Sequence, residues 1–224
     1  MRLQGHHILV TAGATRAYLD DIRYLTNTAT GRLGCEVAAR ASAEGAQVTM
    51  ICGQGSLEPN QIIRPLTLLK RIRIERVETV EDLSRRMSAV LRRGKTTAVV
   101  HSMGVQDYVP ARRERGKVST RRGAWMVKLK PAPKVIDGVK RWSPKTLLVG
   151  FKLLSGVSRR TLVREALRLK KRSGADAIVA NDWKTVRHGV QASYLLTGHS
   201  VRSARGKVGT ANMIVKYLGE KLNG

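Results

Sequence analysis

Apolar and polar positions along this chain follow two periods that take turns. A run at about residues 7 to 12, beginning His7-Ile8-Leu9-Val10-Thr11, is apolar enough for a buried strand. From about 32 to 44 the period becomes helical, with Gly34, Cys35, Val37, Ala38, Ala39 and Ala41 interleaved with Glu36, Arg40 and Glu44. Gln47 to Cys52 is again a strand. Arg71 to Val77 alternates charged and apolar residues, as a strand with one buried face does. Thr79, with Asp82 three residues on, opens a helix to about Arg93 whose Val80, Leu83, Met87, Val90 and Leu91 share a side. Thr97 to Met103 is the next strand. A short helix, about Lys134 to Arg141, leads to strand Thr146 to Leu153. Ser158 caps a helix to about Arg172. Ala175 to Ala180 and Gln191 to Thr197 are strands, and Thr210 caps a final helix, Ala211 to Leu222.

Strands alternating with helices predict parallel βαβ units. The fold class expected is α/β, a doubly wound, mostly parallel, Rossmann-like sheet, with one domain over residues 1 to 224. Residues 104 to 133 are rich in Arg and Gly and interrupt the alternation. Trp125 to Lys130 alternates enough for a strand, so this segment is expected to be a flap or arm that closes over ligand or crosses to a partner subunit. In such sheets ligands bind beyond the strand C-terminal ends, at the switch point. Gly13 to Gly34, His101 to Pro110, Phe151 with Lys152, and Asn181 with Asp182 should gather there.

Composition adds charge. Of 224 residues, 42 are basic and 16 acidic, for a formal net charge of +26. Such a field draws in anions: a nucleotide, a phosphorylated metabolite, nucleic acid or an anionic membrane. A solvated surface reflecting the organism's environment accounts for it equally well. Aromatic residues make up only 4%, few platforms for stacking bases. No stretch reads as a signal peptide or spanning helix, so a cytoplasmic protein with no membrane partner is expected. Two cysteines, Cys35 and Cys52, are too few for a disulfide framework or zinc site and read as reduced, small apolar residues. The histidines at 6, 7, 101, 188 and 199 show no ligand spacing, and no carboxylate cluster marks a metal cage; no metal ligand is assigned.

The stretch between the first strand and its helix, ending RYLTNTATGRLG at residues 23 to 34, holds the candidate chemistry. A strand, a small-residue loop and a helix opening on glycine aim N–H groups and a helix dipole at an anion. The loop is too long, and its glycines wrongly spaced, for the G-x-G-x-x-G of dinucleotide oxidoreductases. With no Tyr-x-x-x-Lys pair after a central strand, a nicotinamide-dependent reductase is disfavoured. The loop instead carries Asn27 with Thr15, Thr26, Thr28 and Thr30.

Four separated segments then match one family in order over nearly the whole chain: TAGATRAYLDDIRYLTNTATGRLG (11–34), HSMGVQDYVP (101–110), GKVST with VKLKPAPKVI (116–120 and 127–136), and VGFKLL with IVAND (149–154 and 178–182). The chain resembles phosphopantothenate–cysteine ligase in its stand-alone bacterial form. The resemblance implies a ligase of coenzyme A biosynthesis. In it, 4′-phosphopantothenate is activated by CTP, with Mg2+, to an acyl cytidylate. Cysteine then displaces CMP, in a homodimer whose flap reaches across subunits.

The resemblance also implies roles by residue. Asn27 and Lys117 would be catalytic. Asn27 can hold an acyl phosphate by donating to its oxygens, and a turn asparagine bonding its own backbone is the competing reading. Lys117 would turn over the acyl cytidylate, against the reading of one more surface lysine. Arg23, with Gly13 and Thr15, would bind substrate, Arg23 anchoring its phosphate or bracing the loop. His101, Ser102, Met103, Asp107, Lys134, Val135, Ile136, Phe151 and Lys171 would bind nucleotide. Two departures stand out: Met103 and Gly104 replace the small alanines of fused forms, and Ser119 and Thr120 replace further flap lysines. A nucleic-acid-binding protein on a diverged ligase fold is the alternative that the charge keeps open.

Overall fold

The computed structural model describes residues 1–187, 192–198 and 200–224. Its strands are β1 (His7–Ala12), β2 (Arg16–Tyr18), β3 (Tyr24–Thr26), β4 (Gln47–Gly53), β5 (Ile72–Val77), β6 (Ala98–His101), β7 (Tyr108–Pro110), β8 (Leu129–Pro131), β9 (Leu147–Leu154), β10 (Ala177–Asp182), β11 (Ala192–Leu196) and β12 (Val201–Arg205). Its helices are α1 (Arg32–Ala43), α2 (Pro59–Ile62), α3 (Val80–Leu91), α4 (Ile136–Trp142), α5 (Arg159–Ser173), α6 (Trp183–Arg187) and α7 (Gly206–Leu222). Eight strands form one sheet in the order β12-β11-β10-β9-β6-β1-β4-β5. Pairing is parallel from β5 through to β10, and β11 and β12 are added antiparallel. The chain leaves β1 for β4 on one side and later reaches β6 on the other, so the switch point lies between β1 and β6.

The period-two alternation of β1 divides the core. Ile8, Val10 and Ala12 face α1 and α7, packing among Cys35, Val37, Ala38, Ile214 and Leu218. Leu9 faces α3, α4 and α5, among Leu83, Met87, Val139 and Leu162. Both faces are covered, which is why the parallel strands read as continuous apolar runs. Fully burying a side chain such as Leu9 is worth about 1.5–3 kcal/mol. The expected capping of α3 is present: Thr79 accepts from the Asp82 N–H, and Asp82 returns a bond to the Thr79 N–H. Ser158 caps α5 by accepting from the Thr161 N–H.

Several elements differ from expectation. Thr210 does not cap the last helix, which begins four residues earlier. The Thr210 hydroxyl lies inside it, 2.7 Å from the Gly206 carbonyl and 2.8 Å from the Ser193 hydroxyl. β12 was not predicted. As an edge strand it alternates exposed and half-buried residues, Val-Arg-Ser-Ala-Arg, and shows no apolar stripe. The strand expected from Gln191 begins at Ala192, Gln191 itself lying outside the described residues, as do His188 and His199. Within 104–133 the strand residues are Tyr108–Pro110 and Leu129–Pro131, paired antiparallel; the strand expected from Trp125 is confined to its last residues. β2 and β3 form a second short ribbon inside the loop after β1.

Candidate functional site

The loops after β1 and β6 are stitched together at the switch point. Gly13 leaves β1 with φ 82°, its carbonyl accepting from Gly104 N at 2.7 Å, while Thr15 N donates to the Gly104 carbonyl at 3.3 Å. Four glycines line this junction, where a side chain would clash at two positions and be tight at the other two. A Cβ on Gly13 would fall 1.7 Å from Ser56 Oγ, and one on Gly34 2.4 Å from the Ala12 Cβ. A Cβ on Gly104 would fall 3.0 Å from the Ala29 Cβ, and one on Gly31 3.2 Å from Gly13 N. Gly31 also needs its φ of 88° to start α1. The first turn of α1 is thereby drawn against the end of β1 and beside Ser102. Its positive dipole end and free N–H groups open onto a backbone-lined cradle suited to phosphate.

Asn27 hangs over this cradle. Its Nδ2 donates to the Gly104 and Val105 carbonyls at 3.1 and 3.2 Å. The donors expected to reach a ligand oxygen are therefore engaged by the β6 loop, and among the described residues Oδ1 is left as the unengaged acceptor. Thr15, expected at the substrate, is wholly buried instead. Its hydroxyl accepts from Gln106 N at 3.0 Å and its carbonyl accepts from the Thr26 hydroxyl at 2.9 Å, so it fastens three loops together.

The hairpin β2–β3 projects from the cradle, and its turn is clasped by the 104–133 segment. Asp20, fully buried, accepts from Ile22 N, Arg23 N and Val118 N at 2.9, 2.6 and 3.1 Å and pairs with the Arg23 guanidinium. Burial alone would raise its pKa; these donors outweigh that and hold the carboxyl below its usual range. Asp21 accepts from Gly116 N and Arg113, both at 2.8 Å. Arg23 donates to the Val118 carbonyl at 3.1 Å and lies over the Trp125 ring. Of its two expected roles, bracing is the one its contacts serve. Lys117 sits between these clamps, its backbone held on both sides. Its side chain is exposed and makes no hydrogen bond or ion pair among the described residues. Asn27 thus lies at the foot of the hairpin and Lys117, in the segment that clasps it, beside its tip, the two separated by roughly four strand residues, or ~13 Å. Sequence reasoning missed Asp20 and Asp21 as clasps; two consecutive acids in a basic chain were the one available signal.

The nucleotide candidates divide. His101 is buried, with Nδ1 2.8 Å from the Thr11 hydroxyl, and burial pushes its pKa down to about 4. It is a neutral strand-end residue. Ser102 donates to the Thr11 carbonyl at 2.6 Å beside the start of α1. The Met103 side chain joins the core under α3 and α4, as do those of Val135 and Ile136, so these three offer a ligand backbone only. Asp107 and Lys134 are exposed and ion-paired with each other. Phe151 is partly buried on the α1 and α7 face, beyond the end of β6. Lys171 is a correction: it lies in the last turn of α5, which runs back from the C-terminal edge of the sheet. Twelve residues of helix put it ~18 Å from that edge, where it complements the helix dipole and, within one copy, stands away from the cradle.

Two strand-end residues also separate. Asp182 accepts from Gly156 N, Lys184 N and Val157 N, which hold its pKa low, and it serves to pin two loops. Asn181 is buried with Oδ1 unpartnered. It pairs in register with Leu153, two residues past Phe151 and on the same face. A buried acceptor with no donor is costly unless a ligand supplies one. Among the described residues, no three His, Cys, Asp or Glu side chains gather as metal ligands, and no helix is long and apolar enough to cross a membrane.

Comparison with known proteins bears on the family and the fold. The coenzyme A biosynthesis bifunctional protein CoaBC of Thermococcus kodakarensis is 37% identical over 186 residues, covering 81% of this chain and 42% of its own length. The Bacillus subtilis protein of the same name is 28% identical over 182 residues, 81% of this chain and 41% of its own. The chain therefore spans about two fifths of these relatives. The structure of the DNA/pantothenate metabolism flavoprotein from Streptococcus pneumoniae superposes with a TM-score of 0.86 at 25% identity, covering 96% of this chain and 99% of that one. A Cab2 variant solved with phosphopantothenate-cysteine shares the fold, with a TM-score of 0.79 at 16% identity over 97% of this chain and 87% of that one. The model for the DNA/pantothenate metabolism flavoprotein C-terminal domain matches residues 3–212, and the chain belongs to that family.

Proposed function

We propose that the protein is a phosphopantothenate–cysteine ligase that uses CTP. The glycine-lined cradle at the switch point, with Asn27 above it, is the observation that carries the reading. In the first step the 4′-phosphopantothenate carboxylate attacks the α-phosphate of CTP and pyrophosphate leaves. In the second, the cysteine amine attacks the acyl carbon and CMP leaves.

Backbone N–H groups at the start of α1 would hold phosphate oxygens, close approach being possible because Gly13, Gly31, Gly34 and Gly104 carry no side chain. Asn181 Oδ1 and Phe151 suit a nucleobase, the first accepting from an amino group and the second packing on the ring. Asn27 Oδ1 can accept from the pantothenate moiety or the incoming amine. Lys117 offers an unpaired ammonium to charge developing on transferring oxygens. The chemistry magnesium supplies, neutralising phosphate oxygens, would enter with the triphosphate, where that ion commonly keeps its waters and bridges phosphates.

Because Asn27 and Lys117 stand at opposite ends of a hairpin, a homodimer in which the tip of one copy serves the cradle of the other is the favoured arrangement. Ile22, Tyr24 and Leu25 on the hairpin and Tyr108, Met126 and Leu129 in the 104–133 segment are exposed, as a self-pairing surface requires. The test is substrate dependence. Pyrophosphate release should require both CTP and 4′-phosphopantothenate, and CMP release should further require cysteine. Release of neither with any nucleoside triphosphate would reject the proposal. A second reading, nucleic-acid binding, is favoured by α5, where seven basic residues face one acid. Duplex binding with a steep salt dependence that survives replacement of Asn27 and Lys117 would support it.

A further inference from the structure

A cleft of about 560 Å³ opens beyond the C-terminal ends of β4 and β5, on the far side of β1 from the β6 switch point. Four arginines line it: Arg16 from β2, Arg76 from β5, and Arg85 and Arg86 from α3. Glu78 and Asp82 share its walls, and Glu58 and Glu75 stand against Arg76 and Arg86, so each guanidinium charge has a carboxylate beside it. Each arginine is oriented by a carboxylate. Arg16 lies 2.9 Å from Glu78, Arg76 Nε 2.9 Å from Glu58 and Arg86 2.6 Å from Glu75, while Arg85 pairs with Asp82. A guanidinium has five N–H donors; Arg16 and Arg85 each spend one on these carboxylates and Arg76 spends two, while Arg86 is held by ion pairing alone. The remaining donors are open to a ligand. Val77 and Ala89 are the apolar residues in its walls, and arginines supply its forked hydrogen-bond donors.

We infer that this cleft is a second anion site, built for an oligophosphate group and distinct from the cradle between β1 and β6. Its volume suits a small molecule rather than a polymer. Several negative charges on adjacent tetrahedral centres match four planar forks better than a single carboxylate does. The site is joined to the hairpin: Glu78 holds both Arg16 and the Tyr18 hydroxyl, and Arg16 lies over the Tyr24 ring at 4.3 Å. An anion that draws Arg16 away from Glu78 therefore loosens or resets the arm that carries Asn27 at its foot.

Titration calorimetry with sodium tripolyphosphate tests this on the full chain. Binding should persist in the Asn27→Ala/Lys117→Ala variant, which disables the proposed active site. It should weaken at least tenfold in Arg85→Gln/Arg86→Gln. Arg92→Gln/Arg93→Gln removes equal charge beyond the same helix and should bind as the parent does. Should Arg85→Gln/Arg86→Gln fail to fold, Arg85→Lys/Arg86→Lys keeps the charge without the fork, and at least threefold weakening is expected. Parallel titration with CTP separates sources. Dependence of CTP binding on Arg85 and Arg86 marks a nucleotide-borne oligophosphate, and independence marks a free one. Unchanged tripolyphosphate binding in the Arg85/Arg86 variants, equal weakening in the Arg92/Arg93 control, or loss of all binding in the Asn27/Lys117 variant would each overturn the inference.

Discussion

Replacing Gly34 by alanine should damage function far more than stability. In α1, alanine is favoured over glycine by about 1 kcal/mol of helix propensity. The added Cβ, however, would stand 2.4 Å from the Ala12 Cβ and 3.1 Å from Ser102 Oγ. Carbon atoms rest at about 3.5–4.0 Å, so the start of α1 must retreat from β1 by ~1 Å. Overpacking of this kind costs about 1–3 kcal/mol, leaving a net loss of roughly 0–2 kcal/mol once propensity is included. The cradle, however, is displaced by that same ~1 Å, which can lower a rate ~100-fold. Gly209→Ala is the control. It lies inside α7, and its Cβ would meet only Ala204, at an ordinary 3.8 Å. That variant should gain up to ~1 kcal/mol and keep full activity. Urea unfolding and pyrophosphate release, measured on both variants, check this. Wild-type nucleotide affinity and turnover in Gly34→Ala would refute the claim that close approach of α1 to β1 builds the site.

Three further outcomes follow from particular contacts. Burial lowers the His101 pKa from 6.5 to about 4, so the unfolded chain takes up the extra proton between those values. Its contribution is complete above pH 6.5 and is lost as pH falls toward 4, by about 2–3 kcal/mol. Urea midpoints at pH 7 and 4.5 should fall more in the wild type than in His101→Gln, and equal falls would contradict the assignment. Thr79→Ala removes the α3 cap and should cost ~1 kcal/mol, read as a lower urea midpoint with unchanged slope. Asn181→Leu removes the orphaned acceptor, so stability should hold or rise while CTP binding weakens at least tenfold; unaltered CTP affinity would leave Asn181 outside the site.

Sequence reading reached the sheet because its parallel strands are buried on both faces and its helices are amphipathic. It also located the cradle, since Gly13, Gly31 and Gly34 follow a strand and open a helix. It could not see β12, whose edge position removes the apolar period, or the Asp20 and Asp21 clasps, whose partners lie more than 90 residues away. Lys171 was misplaced because local basic character does not reveal which end of a crossover helix meets the ligand. Thr15 was misplaced because a hydroxyl in a phosphate-like loop looks the same in sequence whether it faces ligand or fastens backbone. The Asn27 donors were assigned to substrate because the Gly104 and Val105 carbonyls they bond come from a loop 77 and 78 residues on.

The central claim is that one hairpin, with the segment clasped to its turn, positions an amide at its foot and an ammonium beside its tip for successive halves of a ligation. Rapid-quench measurement of pyrophosphate and CMP, with CTP and 4′-phosphopantothenate premixed and cysteine added second, tests it most directly. Wild type should release about one pyrophosphate per site before cysteine and CMP only after it. Lys117→Ala should retain part of the first burst and lose the second, while Asn27→Ala should fail to retain the intermediate. Normal bursts in both variants, or CMP release that does not wait for cysteine, would contradict the account.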